Sequence, residues 1–307
     1  MQQERNHDRA ALLWMLAGAS LIGTNGLMVR FAETPPTVSA FYRVLFGGLL
    51  LWLVVAARRD WRPLPTRAWL WVLAPATAFA ADLWLWHRSI LLVGPGLSTL
   101  LANVQVFAMA LGGVLLYGER VGVRFLAGLL LAFFGLWLLL GGEWSSLPRE
   151  YRWGVLLGLA TGVCYAAYNL GLKRAQQEAR QATAGAAPIA QVLALASLGC
   201  ALLLGAAGVA EGVSFAIPSW RSLAWLLLLA GVGHCLSWVL ISRAMPHLRV
   251  AVVGLLLLLQ PVVAFVLDVA LLDRATSPRE WLGLALTLAG IFLAGLRGRA
   301  RLPAQPA

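Results

Sequence analysis

Two stretches of the sequence place chemistry-bearing side chains along one face of a helix. His234, Ser237, Trp238 and Ile241 follow i, i+3, i+4, i+7 spacing, and so do Phe79, Asp82, Leu83 and Trp86, which lie 155 residues earlier. Together they offer an acid, an imidazole and two indoles to a common space. A third set, Thr161, Tyr165, Tyr168 and nearby Asn169, puts tyrosines in the middle of an apolar run, away from the interfacial belt where tyrosine normally sits, which suggests the lining of a cavity. Gln105, with Asn103 two residues before it, and Gln260, followed at once by Pro261, interrupt two more apolar runs. Aromatic walls with a few amides and one or two ionisable groups suit a small solute with an apolar body and a polar end. Plainer roles stand beside this one. Gln105 and Gln260 can tie helices together at about 1 kcal/mol each. Asp82 can pair with Arg43 or His87, and His234 can be structural. Asp268, near the end of its run, suits an interfacial salt bridge as well as a solute path.

The elements that must hold these residues are set by composition. The 307 residues are 60% hydrophobic and only 12% charged, with a mean hydropathy of +0.78, far from the roughly 25% charged share of a soluble domain. Lipid gives a backbone no hydrogen bonds, so a crossing takes about 20 mostly apolar residues as a helix. Ten such runs are expected, near 11–29, 38–57, 68–87, 92–117, 121–141, 153–173, 187–210, 220–242, 248–272 and 280–296. They consume most of the chain and leave no loop long enough for a soluble domain. The expected fold is an all-α polytopic membrane bundle. Pro261 lacks an N–H and clashes with the carbonyl four residues back, so the ninth run should bend near Gln260 and turn that amide inward. Trp14, Trp61, Trp69, Trp144, Trp153, Trp220 and Trp281 stand at or near run ends and read as interfacial anchors.

The net charge of +11 does not point to nucleic acid, because the basic residues are scattered among run ends rather than gathered on one stripe. Topology accounts for them. With the N-terminus in the cytoplasm, the inside segments hold Arg58, Arg59, Arg62, Arg67, Arg120, Arg124, Lys173, Arg174, Arg180, Arg243 and Arg249 as well as the terminal arginines. The outside segments hold the smaller set Arg30, Arg88, Arg149, Arg152, Arg221, Arg274 and Arg279. That bias favours both termini on the cytoplasmic side, and the expected location is a bacterial-type inner membrane. The first run reads as a retained helix rather than a cleaved signal. Cys164, Cys200 and Cys235 all fall within runs and form no disulfide framework.

The sequence also matches itself. At an offset of 155, Arg88 meets Arg243, Gln105 meets Gln260, Gly128 meets Gly283 and Gly135 meets Gly290; at an offset of 144, Gly18, Asn25 and Arg30 meet Gly162, Asn169 and Arg174. The unit is five runs, 1–148 and 149–307, and an odd number obliges the second copy to enter the membrane from the opposite side. Inverted repeats of this kind place a solute site near the bilayer midplane between the halves. Gly94-Pro95-Gly96 and Met245-Pro246 occupy equivalent joints and, with Pro261, are the candidate hinges, although tight turns need the same residues. Glycines 112, 113, 128 and 135 read as close-packing positions. There is no P-loop, no metal-ligand spacing and no nucleophile elbow, so neither cofactor nor metal nor catalytic residue is expected. Any energy must come from the solute's own gradient or from coupled protons, with Asp82, His234 and Asp268 as the titrating candidates.

The segment LLYGERVGVRFLAGLLLAFFGLWLL, Leu115 to Leu139, carries an acid between two runs and glycines seven apart, and it resembles the signature of EamA-type members of the drug/metabolite transporter superfamily. LLDRATSPREWLGLALTLAGIFLAG, Leu271 to Gly295, resembles its second copy. The likeness extends from Ala11 to Leu296. It implies ten helices, cytoplasmic termini and movement of small organic solutes, often outward. Length and a tryptophan-rich third run are similar to amino-acid exporters of the YddG type. Asp273-Arg274 stands where the first copy has Gly118-Glu119, which leaves a shared role for the loop acid open. The expected activity is secondary export of small amphipathic solutes, neutral or aromatic amino acids first. Drug or other metabolite efflux is the alternative within transport, and an intramembrane enzyme or lipid-handling scaffold the alternative outside it. The expected partners are the solute and the bilayer, with no nucleic acid, and the sequence leaves the oligomeric state open, a monomer included.

Overall fold

In the computed structural model, residues 2–119, 121–140, 148–182, 188–272 and 276–295 are described, and among them there is no strand. The helices are α1 (Gln2–Gly23), α2 (Asn25–Ala32), α3 (Pro36–Ala57), α4 (Thr66–Val93), α5 (Pro95–Ala102), α6 (Gln105–Tyr117), α7 (Val123–Leu140), α8 (Arg149–Ala182), α9 (Ile189–Ala210), α10 (Trp220–Leu228), α11 (Ser237–Ala244), α12 (Val250–Leu256), α13 (Leu259–Leu272) and α14 (Pro278–Gly295). A π-helical segment, Leu229–Leu236, joins α10 to α11 without a break, and a 3-10 turn, Met245–His247, follows α11. Eight helical stretches among the described residues are long and apolar enough to cross a membrane; α7 and α14, the fifth and tenth expected runs, are not among these eight. Large apolar side chains such as Leu70, Leu115 and Leu202 stay exposed, as an outer surface facing hydrocarbon requires. Trp61, Trp69, Trp153, Trp220 and Trp281 are also exposed, in keeping with anchors, while Trp144 lies outside the described residues.

Three of the expected runs are jointed, and the local sequence explains where. Gly23, Thr24 and Gly26 are weak helix formers, and the first run breaks at Thr24, whose hydroxyl donates to the Leu21 carbonyl at 2.6 Å. The matching stretch of α8 has Ala167, Tyr168 and Leu170 instead, and that helix runs unbroken for 34 residues. Between α5 and α6, Asn103 and Val104 donate to Leu100 and Leu101, a tightened i→i+3 turn just before Gln105. A similar tightening occurs between α12 and α13, where Leu258 donates to Leu255 and Gln260 to Leu257. Pro261 suits this joint but does not alone account for it, because the α5–α6 turn forms with Val106 at the equivalent position, and the break falls upstream of the amide. The Leu257 carbonyl, which Pro261 cannot serve, accepts from the Gln260 N–H at 3.1 Å, so the chain's own backbone satisfies it rather than a neighbour or water. Among the expected hinges Gly94 and Pro246 fall between helices, and the Gly94 φ of +86° lies in the region that favours glycine. Pro95 and Gly96 already belong to α5, Pro246 lies in the 3-10 turn, and Pro261 is inside α13.

Packing follows the internal match. α3 pairs with α9 and α7 with α14, and the contact of α6 with α12 has its counterpart in α5 with α13. The pairing of α4 with α8 has its counterpart in α1 with α11, and that of α4 with α9 in α3 with the π segment. Gly135 and Gly290 bring α7 and α14 together: a Cβ on Gly135 would run into the Gly283 carbonyl, and one on Gly290 into that of Gly128. Small residues are how helices approach closely in lipid, where no hydrophobic force drives them together.

Candidate functional site

The aromatic residues of α4, α8 and the π segment with α11 meet in the middle of the bundle. Phe79 stacks on Tyr168 with centroids 4.1 Å apart and faces His234 at 5.7 Å. Trp238 stands edge-on to Tyr168 at 4.6 Å, to Tyr165 at 5.9 Å and to Phe79 at 5.8 Å. Trp238, Tyr168 and His234 are buried. In this conformation the rings pack against one another, so the hollow expected here is filled by its own walls. The Arg43 guanidinium lies over Phe79 at 5.7 Å and over Trp86 at 6.0 Å. Asp82 is buried close enough to feel the Arg43 charge, yet among the described residues the two make no direct ion pair. His87 instead donates through Nδ1 to the Leu83 carbonyl at 2.8 Å.

Several polar side chains in this region are buried without a full set of partners. Both side-chain atoms of Gln105, the Oδ1 atoms of Asn25, Asn103 and Asn169, Trp238 Nε1, Arg43 Nε and His234 Nδ1 have none. Each buried unmade hydrogen bond costs about 1–3 kcal/mol, and a native interior seldom leaves a group of them without reason. Other polar atoms of the region are committed. Gln260 donates to the Tyr165 hydroxyl at 2.9 Å, His234 Nε2 shares a 2.8 Å hydrogen bond with Ser197, and Asn103 and Asn169 donate to Thr99 and Tyr165 carbonyls one turn back. The Ser237 hydroxyl donates to the Gly233 carbonyl at 2.8 Å within its own helix, so it is less free for a solute than its place on the stripe suggested. Of the expected residues, Asp82, Trp86, Tyr165, Tyr168, His234, Trp238 and Gln260 share this central cluster. Gln105 and Asn103 lie at the α5–α6 joint against Gly162 of α8, where a Cβ would meet the Gln105 nitrogen at 3.1 Å. Asp268 is buried in α13, outside the aromatic group.

Three participants were missed. Arg43 entered the reading only as a partner for Asp82. Asn25 appeared in the repeat alone, yet its Nδ2 donates to the Gly233 carbonyl at 3.1 Å and pins α2 to the π segment. That segment had no signal beyond Gly231 and Gly233. π-Helical turns often sit at functional sites, and here Gly47 of α3 is what admits it, since a Cβ there would stand 2.5 Å from His234 Cδ2.

Polar locks flank the cluster. Where α4 and α9 end, the Glu211 carboxylate pairs with Arg88 and accepts from Trp84 Nε1 at 2.7 Å and from the Thr37 hydroxyl at 2.7 Å, and Arg88 stacks 3.7 Å over Trp84. Where α6 ends, Glu119 accepts from the Val250 and Ala251 N–H groups at 2.7 and 3.1 Å and so caps α12. Its expected counterpart, Asp273-Arg274, lies outside the described residues. The three described cysteines are free.

The model of the EamA-like transporter family matches residues 9–141 and 152–296. The chain belongs to the EamA-like transporter family. It is therefore a multi-pass membrane transporter, with bacterial relatives. It is 26% identical to the uncharacterized transporter YwfM of Bacillus subtilis over 96% of this chain and 97% of that one. The uncharacterized protein PA1977 of Pseudomonas aeruginosa is 30% identical over 93% of this chain and 94% of its own. The uncharacterized inner membrane transporter YhbE of Escherichia coli K12 is 25% identical over 45% of each chain. A solved crystal structure superposes with a TM-score of 0.74 over 94% of this chain and 97% of that one, at 20% identity, a likeness of fold alone.

Proposed function

We propose that this transporter exports small amphipathic solutes, neutral or aromatic amino acids above all, by alternating access through the central cluster. The observation that carries the reading is the coincidence of stacked rings with unpaired polar atoms: Phe79, Tyr168 and Trp238 on one side, Asn169 Oδ1, His234 Nδ1, Trp238 Nε1 and Arg43 Nε on the other. An aromatic side chain replaces ring–ring contacts on entering, and a zwitterion supplies the missing hydrogen-bond partners. Arg43 suits the carboxylate and Asp82 the ammonium group. A buried cation over Phe79 and Trp86 works against a cationic drug as cargo. In this reading ten spans form two inverted five-span units, 1–148 and 149–307, with both termini in the cytoplasm; the paired helix contacts and the matched joints before Gln105 and Gln260 support it. Gly94 and the 3-10 turn at Pro246 are the points about which the hairpins rock.

The test is efflux from sealed vesicles reconstituted with purified protein and loaded with a panel of labelled amino acids. Protein-dependent release of tryptophan or phenylalanine, reduced about tenfold or more by Trp238→Ala while release of a small aliphatic amino acid is spared, is the expected result. Equal rates for every solute in vesicles with and without protein would refute the substrate class.

A further inference from the structure

The closed lock at Arg88 and Glu211 has a structural counterpart that lacks its acid. α3 and α9 are both 22-residue helices entered from a proline, Pro35 and Pro188. They end alike. Arg58, Arg59 and Asp60 donate to Val54, Ala56 and Val55, and Glu211, Gly212 and Val213 donate to Ala207, Val209 and Gly208. The second residue of each turn has positive φ, +53° at Arg59 and +67° at Gly212. Arg58 therefore stands where Glu211 stands, as Arg243 stands for Arg88, Val239 for Trp84 and Ala190 for Thr37. At one end an arginine meets a carboxylate and the helices close. At the other an arginine meets an arginine, and a pocket of about 270 Å³ remains, lined by Arg58, Arg62, Arg243, Val239 and Ala190 among others. Asp60 also lines it, but no ion pair joins it to Arg58, Arg62 or Arg243 among the described residues. Gln191 sits in the wall with its amide clamped on the Arg62 backbone, donating at 2.7 Å and accepting at 3.0 Å, which fixes the loop that carries Arg62.

We propose that this pocket is an anion-binding site, for a phosphate or carboxylate group, and that the bound anion does at this end what the Glu211 carboxylate does at the other. Like charges that face each other hold a joint apart, and a single anion between them reverses the sign of the interaction. Guanidinium groups match phosphate and carboxylate oxygens in paired hydrogen bonds. Topology accounts for arginines at this end of the bundle but not for three of them sharing one pocket. The occupant comes from solution or is the head group of an anionic lipid. The site is distinct from the aromatic cluster, and its occupancy is read without any transport assay.

The experiment measures thermal unfolding of the purified protein against inorganic phosphate, with sodium chloride matched for ionic strength, in phosphatidylcholine vesicles and in vesicles containing phosphatidylglycerol. The expected result in phosphatidylcholine is a saturable rise in the midpoint. Arg58→Gln and Arg243→Gln should weaken the apparent phosphate affinity about tenfold or more, the loss of one charge-assisted contact, and Arg243→Lys should weaken it less. Arg58→Glu, which restores the charge pattern of the opposite lock, should abolish the response while leaving the protein folded. A response that vanishes in phosphatidylglycerol identifies lipid as the occupant, and one that persists in both vesicle types identifies a soluble anion; either supports the site. No saturable response in phosphatidylcholine, or the same response in Arg58→Gln, Arg243→Gln and the unaltered protein, overturns it.

Discussion

Replacing Glu211 with glutamine should loosen the end of the bundle where α3, α4 and α9 meet. The amide keeps the shape of the carboxylate and one acceptor oxygen, so Thr37 or Trp84 retains a partner while the attraction to Arg88 is lost. The two side chains are 24% and 26% exposed, so water screens the pair, and its worth falls near the upper end of surface ion pairs, about 1 kcal/mol. That amount shifts a closed-to-open equilibrium about fivefold. Acid should imitate the substitution. Partial burial alone would raise the Glu211 pKa, but hydrogen bonds from Thr37 and Trp84 and the Arg88 guanidinium hold it below the ordinary 4.5. A carboxylate depressed in this way contributes stability that is complete above its unfolded pKa and disappears as pH falls through the lower folded value. The joint should therefore open below about pH 4.5 in the unaltered protein and show no such transition in Glu211→Gln. A single cysteine at buried Ala40, one turn below Thr37 in a background without native cysteines, reports opening through its rate of maleimide labelling at neutral pH. An unchanged labelling rate in Glu211→Gln would refute the claim that charge holds this joint.

Further outcomes follow from single contacts. Gly47→Ala should lower the unfolding midpoint by an overpacking cost of about 1–3 kcal/mol, because the new methyl group meets His234, whereas Gly231→Ala, with nothing within 4 Å, should not; equal losses would contradict the packing described. Glu119→Ala removes the acceptor of two N–H groups at the start of α12 and should cost about 1 kcal/mol, read in the same melt. Gln260→Leu breaks one hydrogen bond to Tyr165 worth about 1 kcal/mol. If Gln260 serves only to tie α13 to α8, transport should survive in proportion to folded protein; a loss of efflux beyond that marks it as part of the site.

Much of the central cluster was legible because helical spacing and the 155-residue match act on residue types that stand out against leucine and alanine. Asp82, His234, Trp238 and Gln260 are rare in apolar runs, and their burial follows from the cost of exposing them to lipid. The joint before Gln260 was expected from Pro261, but its place was not, since which amide serves an orphaned carbonyl depends on the turn that forms. Arg43 has no repeat partner of its own kind. The π segment depends on Asn25, 208 residues away in sequence, and no local pattern encodes it. Glu211 and Arg58 escaped for a different reason: equivalent positions with opposite charge cannot be found by looking for identities, and only the matching helix ends reveal them.

The continuity of α8 beside the break between α1 and α2 has a consequence for motion. A 34-residue helix is a stiff rod, and the cluster residues Tyr165 and Tyr168 travel with it as one piece. In the 144-residue sequence match their counterparts, Leu21 and Thr24, sit at the break between α1 and α2, where the proposed mechanism would let α2 turn against α1. On the proposed mechanism the two flanks of the solute path would then be mechanically unequal: one side resembles a wall and the other a door.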